Sequence, residues 1–257
     1  MRFSKAITRL PGERFAAGIT TAGLGAPELP RALEQHAAYC KALKQCGVQV
    51  TTLDADARFP DSTFVEDTAV LTPQMAVITR PGADSRKGET AAIRVALAEY
   101  YAEICTIETP GTVDGGDICQ AGEHFFIGVS ARTNPEGAAQ LAAHLQDAGF
   151  TTGEIDIRGT EGLLHLKSGM SYLGNSTMLV DPVLAQLPAF EGYRVLQVPE
   201  AERYAANCIR VNDFVIFADG YPQAAAMLSA EGFDLLLLDM SEFRKMDGGL
   251  SCLSLRF

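Results

Sequence analysis

The feature that most constrains this chain is a repeat. A polar lead-in, an apolar strand, a short polar turn, a second apolar strand and a helix follow one another several times. One pass starts at Phe64-Val-Glu-Asp67 and reaches a helical stretch from Glu89. A second starts at Val113-Asp-Gly-Gly-Asp117 and runs to Ala148, and a third at Ala206-Asn-Cys-Ile209 and runs to Glu231. Between the last two, Leu163-Leu-His-Leu-Lys167 leads through SGMSYLGNSTMLV into Asp181-Pro182 with the same grammar. The lead-in residues Asp67, Asp117, His165, Asn207 and Cys252 are therefore spaced by 50, 48, 42 and 45 positions. A fifth unit is expected to be split between the two ends, with a strand in 253–257 pairing near a strand in 3–8. Repeats at this period bury their apolar faces only against one another. The expectation is a single α/β domain over residues 1–257, built of about five strand–strand–helix–strand units and closed into a ring whose lead-ins face one axis.

Local signals place the helices. Asn134-Pro135, Asp181-Pro182 and Tyr221-Pro222 put proline at a first helical position, where its missing N–H costs nothing. Asn134 and Asp181 suit the N-cap, and Gly149 and Gly232 suit the C′ position. Leu33, Ala37, Cys40 and Leu43 form one apolar stripe, and Leu141, Leu145 and Ala148 another. Leu235-Leu-Leu-Leu238 reads as a buried strand. Turns at Thr72-Pro-Gln74, Gly122-Glu123 and Asn212-Asp213 suit hairpins.

Composition narrows the function. The formal net charge of −11 argues against nucleic acid, which needs clustered Lys and Arg. It suits a cationic small-molecule substrate, although acidic surfaces also serve solubility alone. No apolar run approaches the ~18 residues of a membrane span, and no signal peptide is evident, so a cytoplasmic protein is expected. The six cysteines, at 40, 46, 105, 119, 208 and 252, show no C-x-x-C spacing. Neither a zinc site nor a redox dithiol is signalled, and neither metal nor cofactor is expected.

The chemically loaded residues all fall at the lead-ins: Asp61 with Glu66-Asp67, Asp114 with Asp117, His165, Asn207 and Cys252. A ring would bring them into one pocket. Cys252 follows Met246-Asp-Gly-Gly-Leu-Ser, where two glycines let the backbone turn tightly. Read alone, a free cysteine there is more often packing, and a lone histidine such as His165 is more often a hydrogen-bonded core residue. The acidic pairs also suit turns and caps. His36, His124 and His144 read as surface or boundary residues, which leaves His165 as the histidine available to a nucleophile. Two carboxylates beside a thiol and an imidazole suit a planar cation that wants bidentate partners.

Seven segments carry a resemblance. They are Arg58-Phe-Pro-Asp-Ser-Thr-Phe-Val-Glu-Asp67, Thr79-Arg-Pro-Gly-Ala-Asp-Ser-Arg86, Pro110-Gly-Thr-Val-Asp-Gly-Gly-Asp117, Ser130-Ala-Arg-Thr-Asn134, Leu164-His-Leu-Lys-Ser168, Ala205-Ala-Asn-Cys208 and Met246-Asp-Gly-Gly-Leu-Ser-Cys252. In this order they resemble the pentein superfamily of guanidino-group-modifying enzymes, and within it the dimethylarginine dimethylaminohydrolase family. The resemblance covers essentially the whole chain. It implies a five-bladed propeller and hydrolysis of dimethyl- or monomethylarginine to citrulline and a methylamine.

By the same resemblance Cys252 is the nucleophile, His165 the acid–base, and Asp114 the acid orienting the histidine, where some bacterial members carry Glu. Glu66 and Asp67 match the acidic pair near the guanidinium. Asp61, Arg86 and Arg132 match positions holding the amino-acid end of the substrate. Ile19 falls on a mobile lid followed by Leu24-Gly25, and Met246 joins the substrate-binding set. The resemblance also admits a homodimer. The rival readings are another guanidino hydrolase, such as an arginine deiminase with its longer chain, and a non-catalytic pentein binding module. The latter would not need Cys, His and acids at separate lead-ins.

Overall fold

The computed structural model describes residues 2–257. Its first sheet begins with β1 (Lys5–Arg9), crosses through helix α1 (Leu29–Gln45) and returns parallel as β2 (Gln49–Leu53). The second unit runs β3 (Ala69–Leu71), β4 (Ala76–Ile78), α2 (Thr90–Leu97) and β5 (Ile104–Thr106). The third runs β6 (Ile118–Ala121), β7 (His124–Val129), α3 (Pro135–Asp147) and β8 (Thr151–Asp156). The fourth has β9 (Met170–Gly174), β10 (Thr177–Val180) and β11 (Arg194–Gln197). The fifth has β12 (Ile209–Val211), β13 (Phe214–Ala218), α4 (Pro222–Ala230) and β14 (Asp234–Leu238), followed by the short α5 (Ser241–Arg244). Finally β15 (Leu255–Arg256) pairs antiparallel with β1, Leu255 opposite Ile7, and completes the first sheet from the other end of the chain. Every sheet thus has an antiparallel inner pair and a parallel third strand, as the repeat requires.

The helix signals act where expected in α3 and α4. Asn134 Oδ1 accepts the Gly137 N–H at 2.8 Å, and Pro135 opens α3. The first N–H groups of α4, from Gln223 and Ala224, donate to the buried Glu202 carboxylate at 3.1 and 2.7 Å. A negative charge there also complements the helix dipole. Gly149 and Gly232 follow α3 and α4 in the left-handed conformation, at φ 88° and 85°.

Three expectations fail. The fourth unit has no α-helix after Asp181-Pro182; the chain turns and makes only a 3-10 helix, Pro188–Phe190. Asp181 accepts the Val183 N–H and an Arg203 ion pair, so its capping capacity closes a turn. In α1 Cys40 and Leu43 of the expected stripe are buried, but Leu33 and Ala37 are exposed, and Ala32, His36 and Tyr39 take the inner face with them. Tyr39 wins that place because its hydroxyl meets Ser254 Oγ at 2.6 Å inside the core. His36 is consequently buried and not at the surface. Lastly, β14 is the outer strand of its sheet, with Leu237 exposed, so Leu235–Leu238 is not a fully buried strand.

A short 3-10 turn precedes each inner strand: Val65–Thr68, Gly115–Asp117, Leu166–Ser168, Glu200–Ala206 and Ser251–Leu253. Side chains link each turn region to the next. Asp67 Oδ1 accepts Gly116 N–H at 2.8 Å, and Asp117 Oδ1 accepts Leu166 N–H at 3.0 Å. Ser171 Oγ donates to Ala206 O at 2.6 Å, and Asn207 Oδ1 accepts Ser251 N–H at 3.0 Å. Ser251 Oγ donates to Glu66 Oε2 at 2.7 Å, which closes the circle. The buried polar lead-ins are satisfied by one another around the axis, as burial demands.

Candidate active site

Cys252 lies in the Ser251–Leu253 turn, half-buried, with the Gly249 N–H 3.4 Å from its sulfur. Gly249 must be glycine for a packing reason: a Cβ there would sit 2.5 Å from Asn207 Cγ. His165 stands just before the Leu166–Ser168 turn in extended backbone. Its Nε2 is 3.0 Å from Asp114 Oδ2, while Asp114 Oδ1 accepts the Gly82 N–H at 2.8 Å. Gly116 permits the next approach, since a Cβ on it would meet His165 Nδ1 at 2.7 Å and Asp67 Oδ1 at 2.8 Å. Asp67 is held by Gly116 N–H and, at 2.5 Å, by Arg86 Nη1.

A narrow cavity of about 30 Å³ is lined by Cys252, His165, Asp67, Asp61, Arg86, Arg132, Ile19 and Met246. Asp114 stands behind His165, fully buried. Two carboxylates pin the rim. Asp61 accepts the Ile19 N–H at 3.1 and 3.2 Å, and Asp247 Oδ2 accepts Thr21 N–H at 2.5 Å and Thr21 Oγ1 at 3.1 Å. Gly23 and Gly25, at φ 64° and 84°, follow in that segment. Arg132 side-chain nitrogens have no hydrogen-bond or ion-pair partner among the described residues, which leaves a cation facing the cavity.

Two residues sit differently from the expectation. Glu66 does not line this cavity. It faces the other side of the ring, where Oε1 pairs with Lys167 at 2.6 Å and Arg256 at 3.3 Å. Arg86 lines the cavity but is already engaged: Glu89 takes its Nε and Nη2, Phe64 O its Nη2, and Asp67 its Nη1. Its guanidinium braces Asp67 at least as directly as it can meet a ligand. Sequence reading gave no role to Ser251, Asn207, Asp117, Glu89 or Asp247. Asn207 and Asp117 stood out only as polar lead-ins. The Ser251, Glu89 and Asp247 contacts depend on partners distant in the ring or on backbone geometry.

The electrostatics divide acid from nucleophile. Burial pushes His165 down, but Asp67, Asp117 and Asp114 outweigh it and lift the imidazole to about 9. Burial, then Glu66 and Asp67, push the Cys252 thiol up to about 12. Burial opposes ionisation of Asp67, yet His165 and Arg86 hold it down at about 2. Burial raises Asp61 above the usual carboxylate range. At neutral pH the site is therefore a neutral thiol beside an imidazolium. Asp67, Asp114 and His165 could converge on a cation, their ligand atoms lying within 4.8 Å of one another. Each is already bound to a protein donor or partner, and Arg86 places a fixed positive charge on Asp67.

A ring of five sheets with Cys, His and acids on its axis defines a guanidino-modifying class, and residues 59–197 match the arginine deiminase family. The chain is 45% identical over 256 residues to an N(G),N(G)-dimethylarginine dimethylaminohydrolase of Pseudomonas aeruginosa, covering 99% of this chain and all of that one. It is 35% identical to the protein of that name in Streptomyces coelicolor, over all of this chain and 98% of that one. The solved structure of a cysteine-to-serine variant of the P. aeruginosa enzyme, complexed with citrulline, superposes with a TM-score of 0.97 at 44% identity, covering both chains fully. The N-terminal domain of ArgZ, 19% identical over 98% of this chain and 97% of that one, shares the fold with a TM-score of 0.86. The chain belongs to the dimethylarginine dimethylaminohydrolase family.

Proposed function

We propose that this protein hydrolyses Nω,Nω-dimethyl-L-arginine, and the monomethyl form, to L-citrulline and dimethylamine or methylamine. One observation carries the reading: a thiol, an imidazolium and a buried carboxylate line the same narrow cavity. A guanidinium is a poor electrophile, so catalysis rests on orientation against the sulfur and on proton placement. Asp67, held ionised and aimed by Arg86 and Gly116, suits the substrate cation. Arg132 suits its carboxylate, and Asp61 its ammonium. The rim segment at Ile19 and Thr21, tied to Asp61 and Asp247, borders the entrance.

The steps follow from the charges. The incoming cation favours a thiolate on Cys252, which attacks the guanidinium carbon. His165, protonated at rest and held by Asp114, gives its proton to the departing amine. The neutral imidazole then takes a proton from water as it attacks the thiouronium, and citrulline leaves. Such proton transfers contribute roughly 10²–10⁴-fold. The substrate is a small molecule, and a cytoplasmic setting fits six unpaired cysteines. No described helix is long and apolar enough to cross a membrane.

Citrulline release from dimethylarginine, monomethylarginine and arginine tests the reading. The methylated substrates should be turned over and arginine should not; faster release from arginine would make the protein a deiminase. Cys252→Ser should lose turnover entirely with the thermal unfolding midpoint unchanged. Mass spectrometry of His165→Ala enzyme mixed with substrate should find an adduct on Cys252. An adduct on Cys208 or Cys119 would remove Cys252 from its role.

A further inference from the structure

The reaction as drawn needs an outlet for the thiol proton of Cys252. His165 is not a hydrogen-bond partner of that sulfur, and it already carries its own proton at rest. The cavity that would take the substrate lies on the other side. The sulfur has two polar neighbours: the Gly249 N–H, which can only donate, and Ser251 Oγ at 3.9 Å. A thiol is a weak donor, and a hydroxyl can accept and donate at once. Ser251 Oγ accepts from Asn207 Nδ2 at 3.2 Å and donates to Glu66 Oε2 at 2.7 Å, so one lone pair remains for the S–H.

Glu66 faces a second cavity of about 160 Å³ on the opposite side of the ring. That cavity is also lined by Ser251, Lys167, Gln120, Arg210 and Arg256. It has the volume and polar partners for several waters.

We propose that Ser251 and Glu66 form a proton relay that carries the Cys252 proton through the wall of the ring into this second cavity. In the relay the S–H bond breaks as an Oγ–H bond forms, and the original Oγ–H proton passes to Glu66 Oε2. Glu66, paired with Lys167 and Arg256, hands it on to water. The charges balance: a thiolate is left beside the bound cation, and one proton reaches solvent. The departing amine, released neutral, later takes one proton back. The relay also gives a reason for two acidic neighbours in one turn: Asp67 serves the substrate side and Glu66 the exit side.

The proposal rests on the hydrolase reading, and one experiment separates them. Whole enzyme is mixed in a stopped-flow instrument with Nω,Nω-dimethyl-L-arginine in weak buffer with a pH-indicator dye. The unaltered enzyme should give a burst of about one proton per site before citrulline forms. The burst rate should fall in mixed H₂O/D₂O along a bowed curve, because more than one proton moves. In Ser251→Ala the burst should slow about tenfold or more, and Ser251→Thr should restore it, with the amplitude kept. No burst in the unaltered enzyme sinks the relay together with substrate-assisted thiolate formation. A burst that is unchanged in Ser251→Ala, or is not restored by Thr, sinks the relay and leaves the hydrolase standing. If Ser251→Ala does not fold, the isotope curve of the unaltered enzyme decides alone, and a straight line overturns the proposal.

Discussion

Two buried histidines in this molecule have opposite chemistry. His36, on α1, is buried with Cys40 Sγ 3.7 Å from Nδ1 and no hydrogen-bond partner at Nε2 among the described residues. Burial pushes it down to about 4. His165 is also buried, at the wall of the cavity, but three carboxylates converge on it and lift it to about 9. Burial alone makes a neutral ring that packs. Burial among fixed negative charges makes an acid that keeps its proton at neutral pH. The lead-ins of a closed ring supply those charges from three different positions in the sequence, which an outer helix cannot do.

Between the two histidines, the larger effect should come from removing the acid. His165→Ala should lower turnover of dimethylarginine by roughly 10²–10⁴-fold, because the amine then leaves without a proton. A loss of less than about tenfold would mean another group supplies it. Removing a lifting charge is the sharper test. Asp67→Asn should move the alkaline limb of the kcat profile to lower pH, since the largest single influence raising His165 is gone. The same change leaves Arg86 short of a buried partner and should cost about 3–5 kcal/mol in denaturant unfolding. An unmoved limb would show that Asp117 and Asp114 suffice.

The smallest effect lies with His36 and appears only in stability. Its folded pKa is depressed, so its contribution is present above pH 6.5 and lost as pH falls toward 4. His36→Leu should remove that acid-side loss, worth up to about 3 kcal/mol by pH 4. His165 has the opposite sign. Its contribution is complete below pH 6.5 and disappears as pH rises through 9. Urea midpoints of the parent and His36→Leu across pH 4–9 would read both slopes. Coincident curves at acid pH would mean His36 is hydrated in solution.

The sequence revealed what depends on spacing and hid what depends on direction. The five lead-ins were visible because polar residues interrupt apolar strands at a near-constant period, and the ring follows from that. Glu66 and Asp67 were paired by adjacency. In a 3-10 turn, however, neighbours point about 120° apart, and the two carboxylates end on opposite sides of the axis. The stripe of α1 was legible at Cys40 and Leu43 but wrong at Leu33 and Ala37, because an apolar stripe passes over Tyr39 and His36, which are both buried. The resemblance placed Arg86 at the substrate's amino-acid end, and its ion pair with Asp67, 19 residues earlier, was hidden because only the fold makes them neighbours. Ser251 had no distinguishing pattern; its importance comes from Asn207 and Glu66, which are 44 and 185 positions away.

The circle of links between turns has a mechanical consequence. An open array of repeats has two ends, and it can melt from either one because each unit meets only its neighbours. Here the Asp67–Gly116, Asp117–Leu166, Ser171–Ala206, Asn207–Ser251 and Ser251–Glu66 bonds leave no terminal unit. Fraying has nowhere to start without breaking the circle. Amides in all five inner turns should then exchange with solvent at one common opening free energy, the opposite of a graded melt from the rim of a stack.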